Sequence, residues 1–202
     1  LSGPVLLSGA AVAVAGTMIG LKKIDLDRVA NVGILSATFF VASLIHVNIG
    51  PSSAHLILNG IVGLLLGWAA VPAILVALTL QAVFFQFGGL TVLGINTINL
   101  ALPAVLGYYL FSGFITKPGF VANIAAFASG AFAVFLSGIL VALSLVFTEE
   151  NFLEVSVLIA SAHIPVMIIE GIITAFCVSF LRKVYPEIFQ FHRVVALKID
   201  AS

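Results

Sequence analysis

The chain has 202 residues, of which 62% are hydrophobic and 8% charged, and its formal net charge is zero. A soluble globular domain carries roughly 25% charged residues, so this composition excludes an ordinary water-facing surface, and the balanced charge leaves no electrostatic footprint for nucleic acid. No Asp, Glu, Lys or Arg lies between Arg28 and Lys117, and with about 20 apolar residues needed per spanning helix that interval alone has room for about four.

Taken in chain order, the apolar runs predict an all-α integral membrane protein with about seven transmembrane helices. The first runs from Gly3 to Leu21 and stops at Lys22-Lys23. The second covers Val29 to Val47, the third His55 to Ala70, and the fourth follows Pro72 to about Phe87. The fifth runs from Thr97 to Phe114, the sixth from Gly119 to Phe147, and the seventh from Val155 to Leu181. Spans three and four are short, so six spans with a re-entrant segment is the competing count. The runs are continuous rather than alternating, which favours helices over a barrel. No repeat or linker divides the chain, so residues 1–202 read as a single polytopic domain ending in a short tail, 182–202.

Charge placement orients this arrangement. With seven spans, Lys22, Lys23 and Arg28, then Lys117, then Arg182, Lys183, Arg193 and Lys198 all fall on one side. Glu149, Glu150 and Glu154 fall on the other. Basic loops favour the cytoplasm, so the N-terminus is expected outside and the tail inside. Residues 46–55, 88–96 and 149–163 then belong to the outer half, with three of the four histidines; His192 reads as a solvated residue of the tail. The small-residue run from Gly9 to Gly16 suits close helix packing, with docking against a partner subunit as the other reading. Cys177, the single cysteine, reads as a small buried hydrophobe.

Polar groups at membrane depth are costly and need a reason. The densest set is His46-Val-Asn-Ile-Gly50-Pro-Ser-Ser53-Ala-His55. Gly50-Pro51 breaks a helix, and the freed backbone groups must face protein or a water-filled cavity. A histidine there can offer a neutral ring nitrogen to a metal; the alternative is a histidine that caps the third helix. In the segment from Gly88 to Asn99, Asn96 and Asn99 share a helix face, either capping the fifth span and bonding across helices or ordering a ligand loop. His163 and Glu170 are two turns apart and share a face if the helix continues past Pro165. Glu170 is the one acid in a span interior, read either as a structural hydrogen-bonding group or as a coupling residue, and Gln81 is a weaker case of the same kind. No nucleophile motif surrounds Ser52 or Ser53. There is no His-Glu-x-x-His helix, cysteine cluster or phosphate loop, so any energy for transport must come from a partner or an ion gradient.

Three blocks together resemble the CbiM/NikM family. They are Gly50-Pro-Ser-Ser-Ala-His55-Leu-Ile-Leu-Asn-Gly60 with Leu-Leu-Gly-Trp68; Gln81-Ala-Val-Phe-Phe-Gln-Phe-Gly-Gly89 with Gly94-Ile-Asn-Thr-Ile-Asn99-Leu-Ala-Leu-Pro103; and His163-Ile-Pro-Val-Met-Ile-Ile-Glu170-Gly. They cover most of the chain in the family's order. The resemblance implies the substrate-binding membrane component of an energy-coupling-factor ABC importer in a prokaryotic cell membrane. Such a subunit captures Co²⁺ or Ni²⁺ from outside as transported substrate, with no permanent cofactor, and commonly feeds cobalamin synthesis. The implied partners are an energy-coupling transmembrane subunit, a cytoplasmic ATPase and, in many systems, a small accessory membrane protein.

The family's metal site uses the free amino terminus, a histidine at the second position and the histidine matching His55. Family members begin Met-His-Ile, and this chain starts at Leu1-Ser2, aligned just after that head. Around His55, the residues His46, Ser53, Gln81, Asn96 and Asn99 are expected to order the loops, and His163 and Glu170 are candidate intramembrane functional residues. The alternatives are a gradient-driven transporter or channel with Glu170 as coupling residue, and a membrane-embedded enzyme using His55 and His163, for which no third convergent group is visible.

Overall fold

The computed structural model describes the backbone of residues 1–49, 52–148 and 153–189, and side chains over 1–45, 56–148 and 163–189. Among the described residues are seven α-helices: α1 (Gly3–Lys22), α2 (Val29–Ala42), α3 (Asn59–Leu66), α4 (Ala70–Phe85), α5 (Leu93–Ile115), α6 (Phe120–Val146) and α7 (Leu153–Val184). Between α2 and α3, strands β1 (His46–Ile49) and β2 (Ser52–His55) pair antiparallel. Among the described residues, five stretches are long and apolar enough to cross a membrane: Gly3–Lys22, Asn59–Phe85, Leu93–Ile115, Phe120–Val146 and His163–Val184. α2 has 14 residues, about 21 Å at 1.5 Å per residue, and falls short of that length alone.

Residue contacts fix the helix directions. α1 runs with α5: Gly9 abuts Ile95, and further along Val12, Gly16 and Ile19 share an apolar pocket with Ile98, Leu102 and Val105. α3 also runs with α5, since Asn59 donates to the Leu100 carbonyl, Gly63 abuts Ala104, and Gly67 faces the Tyr108 ring. α4 runs against α5, with Val71 in the pocket of Val105 and Gln81 in that of Asn96 and Asn99. The apolar stretch Asn59–Phe85 is therefore not one straight rod. The chain turns back at Gly67, whose φ of 55° is open to glycine. With 8 residues, α3 is about 12 Å long, some half of a bilayer core.

α2 lies along α4, tied by Ser36 to the Ala73 carbonyl (2.7 Å) and by Gln81 to the hydroxyl of Ser43 at the α2 C-cap (2.6 Å), and Arg28, just before α2, donates to the Leu65 carbonyl of α3 (3.2 Å). α6 runs against α5, and α7 against α6, with His163 at Gly138, Thr174 at Gly130 and Ser179 bonded to Asn123. One end of the bundle thus holds the start of α1, the end of α2, the α4–α5 connection and the end of α6. Ser2 and Thr148 meet there. The opposite end gathers Lys22, Lys23, Arg28, Lys117, Arg182 and Lys183, with Arg182 donating to the Lys117 carbonyl at 2.8 Å.

Several expected boundaries move. The second helix stops at Ala42, and residues 46–49 are strand rather than its last turn. The third helix begins at Asn59, four residues beyond His55, because β2 occupies 52–55. Gly50 and Pro51, expected to break a helix, lie outside the described residues, as do Glu149, Glu150 and residues 190–202, including His192. α7 runs unbroken through Pro165 to Val184, so Arg182 and Lys183 are its last turn rather than a tail.

Lipid offers little hydrophobic force between helices, so close packing of small residues holds them together. The small-residue run of α1 supplies such packing on one face: Gly9, Ala13 and Gly20 are buried, and a Cβ on Gly94 would lie 2.6 Å from the Ala10 Cα. Its other face, with Val12, Val14, Met18 and Leu21, is exposed.

Candidate metal-capture site

The β-hairpin enters the bundle between α2 and α3. Its register sets His46 opposite His55 and Asn48 opposite Ser53. Below the last strand pair, the Leu56 amide donates to the Ile45 carbonyl at 3.1 Å and closes the hairpin base. The side chains of His46, Ser53 and His55 lie outside the described residues.

Immediately after the hairpin the chain meets a cavity of about 260 Å³. Four of the polar residues singled out in the sequence converge on it: Gln81 from the end of α4, Asn96 and Asn99 from the start of α5, and His163 from α7. Ile57, Phe87, Leu100 and Val141 give it apolar walls, and Ser137 of α6 adds a hydroxyl. The sequence expected the two asparagines either to cap the fifth span and bond across helices or to order a ligand loop. Both lie inside α5, which starts at Leu93 rather than at Thr97, and Asn99 bonds across to α6, donating to the Ser144 hydroxyl at 3.4 Å. Gln81 is held by Ser43 of α2, which itself donates to the Phe40 carbonyl at 2.6 Å.

Glu170 does not line this cavity. It is fully buried behind it, and its carboxylate accepts the backbone N–H groups of Ile57 and of Leu58, the latter at 3.0 Å to each oxygen. Those amides lie at the entrance to α3, where Leu58 is the N-cap with φ 53° and makes no side-chain cap bond. The acceptor for these amides comes from α7, while the His55 side chain, the other candidate for capping this helix, lies outside the described residues. His163 and Glu170 do share the inward face of one continuous helix, as their spacing implies.

Asn59 and Ser137 were not singled out in the sequence. Asn59 is fully buried and donates to the Leu100 carbonyl (3.0 Å) and the Ser137 hydroxyl (2.9 Å), tying α3 to α5 and α6 beside the cavity. Its signal was available: it is the sole amide side chain between His55 and Gln81.

The cavity offers one imidazole, three side-chain amides and a hydroxyl. Imidazole suits late first-row divalent metals, and amide oxygens are harder donors. Among the described residues no group of three or more His, Cys, Asp or Glu could hold a metal ion. A nitrogen-rich site here therefore draws on residues beyond the cavity wall, and the hairpin ending at His55 is the adjoining segment.

Three comparisons place this arrangement among known proteins. The model of the CbiM family, described as the cobalt uptake substrate-specific transmembrane region, matches residues 1–188. A Haemophilus influenzae protein described, by inference, as a metal transport protein is 40% identical over 188 residues, covering 92% of this chain and 91% of that protein. The cobalt transport protein CbiM of Sorangium cellulosum is 29% identical over 182 residues, covering 85% and 80%. A crystal structure of a transition metal transporter superposes with a TM-score of 0.73 at 27% identity, covering 91% of this chain and 90% of that one.

Proposed function

Because the chain belongs to the CbiM family of cobalt uptake substrate-specific transmembrane regions, we propose that it is the capture subunit of an ATP-driven importer of the energy-coupling-factor type. It takes Co²⁺ or Ni²⁺ as substrate and supplies cobalamin synthesis. The observation that carries this reading is the convergence of Gln81, Asn96, Asn99 and His163 on one cavity directly behind the His55 hairpin. His55 is the ring-nitrogen ligand of the pair, completed by the N-terminal amine and second-position histidine that the resemblance implies. The partners are a coupling membrane subunit, an ATPase and a small accessory membrane protein. Glu170, which would anchor a gradient-driven mechanism, has its carboxylate engaged by two backbone amides, which favours a fixed role over a proton carrier.

The test is calorimetric titration of the full-length protein with Co²⁺, Ni²⁺, Mg²⁺ and Ca²⁺, alongside metal accumulation in cells with and without the co-expressed ATPase. Selective binding of the two transition metals and ATPase-dependent accumulation are expected. Accumulation that persists without any ATPase would replace this reading with the gradient-driven one.

The bias of basic residues toward the cytoplasm supports a cytoplasmic location for the end bearing Lys22, Arg28, Lys117 and Arg182, with the cavity-side end outside the cell. In a Cys177→Ser background, Thr148→Cys is expected to react with a membrane-impermeant maleimide on intact cells, and Lys117→Cys only after lysis. The reverse labelling would invert the topology.

A further inference from the structure

The carboxylate of Glu170 has no place in the cavity wall, yet it is fully buried. Burying an ionised carboxylate is costly unless good hydrogen bonds replace its water. Here they come from the Ile57 and Leu58 amides and from the positive end of the α3 dipole. A helix start is ordinarily satisfied by a local Ser, Thr, Asp or Asn. Leu58 cannot do this, so the acceptor arrives from α7, 112 residues further along the chain.

We propose that Glu170 is a positioning residue for metal capture: its carboxylate clamps the Ile57–Leu58 amides and thereby fixes where the His55 end of the hairpin sits over the cavity. This rests on the reading of His55 as a ligand. The connection is short. Leu56 alone separates His55 from Ile57, and its own amide is held by Ile45. The chain is thus pinned on both sides of the hairpin exit, by the Ile45–Leu56 bond and by Glu170. Two residues of extended chain reach no more than about 7 Å, so a displaced Ile57 displaces His55. The same rigid helix carries His163 on the cavity wall two turns earlier, so the clamp and that wall move together.

The closing experiment uses the full-length protein and the Glu170→Gln variant, which keeps the shape but turns one acceptor into a donor facing backbone N–H groups. Without metal, hydrogen exchange over residues 46–58 is expected to quicken about tenfold in Glu170→Gln; unchanged exchange overturns the clamp, whatever the metal does. With Co²⁺, calorimetry is expected to show affinity lowered about 10- to 100-fold, the usual effect of losing a group that orients a ligand, at unchanged stoichiometry and with an altered visible Co²⁺ spectrum. Lowered stoichiometry with unchanged affinity and spectrum indicates lost folded protein and overturns the positioning role. Absence of Co²⁺ binding by the unaltered protein sinks the capture reading itself, and the positioning role with it.

Discussion

Replacing His55 with alanine is expected to lower the affinity for Co²⁺ and Ni²⁺ by about 100-fold or more. Four-ligand structural zinc sites bind with about 10–16 kcal/mol. One ligand is then worth on the order of 3 kcal/mol, and each 1.4 kcal/mol is about tenfold. The hairpin register makes the comparison sharp, because His46 stands directly opposite His55. His46→Ala removes a neighbour rather than a ligand and is expected to cost at most about tenfold, within the range for groups that support a ligand. His163→Ala, at the cavity wall, belongs to the same lesser class. Protons compete for ring nitrogens, so wild-type affinity should fall on acidification, and the His55→Ala protein should lose part of that pH dependence. Calorimetry on the three variants at two pH values checks the whole set. Equal affinities for His55→Ala and the unaltered protein would remove His55 from the site.

The apolar runs were legible because lipid imposes one rule, continuous hydrophobicity, over long windows. They located α1 to α7 as helices to within about five residues, whereas among the described residues five stretches rather than seven are long and apolar enough to cross a membrane. The polar residues inside those runs were legible for the same reason, since each is an exception with a cost, and Gln81, Asn96, Asn99 and His163 do meet. Three features were hidden. A hairpin of two four-residue strands is too short to show a period of two beside long helical runs. The reversal at Gly67 hangs on a single backbone angle, where the sequence shows only another glycine in an apolar stretch. The partner of Glu170 is backbone amide rather than side chain, and every residue but proline carries one, so no residue pattern announces it.

The largest stability loss is expected at Gly63, in the middle of α3. A Cβ there would lie 2.6 Å from the carbonyl carbon and 2.8 Å from the Cα of Ala104, and it also meets the Ala104 carbonyl oxygen. All three atoms are backbone of α5, so no rotamer change relieves the clash, and α3 must move bodily away. That movement breaks the bonds from Asn59 to the Leu100 carbonyl and to Ser137, and it pulls the Ile57–Leu58 amides off Glu170. Overpacking a tight interior typically costs about 1–3 kcal/mol and occasionally more; with two further hydrogen-bonded ties lost, Gly63→Ala should reach about 3 kcal/mol, and Gly63→Val should exceed it. Helix propensity acts the other way, favouring alanine over glycine by about 1 kcal/mol. Gly33 isolates that opposing effect: it lies within α2, and a Cβ there meets nothing within 4 Å. Thermal unfolding in detergent should therefore show Gly33→Ala unchanged or raised in Tm and Gly63→Ala clearly lowered, with weaker Co²⁺ binding only in the second. Matching melting temperatures for the two alanine variants would mean that α3 and α5 are not in contact at Gly63, and the half-length α3 leg would lose its main support.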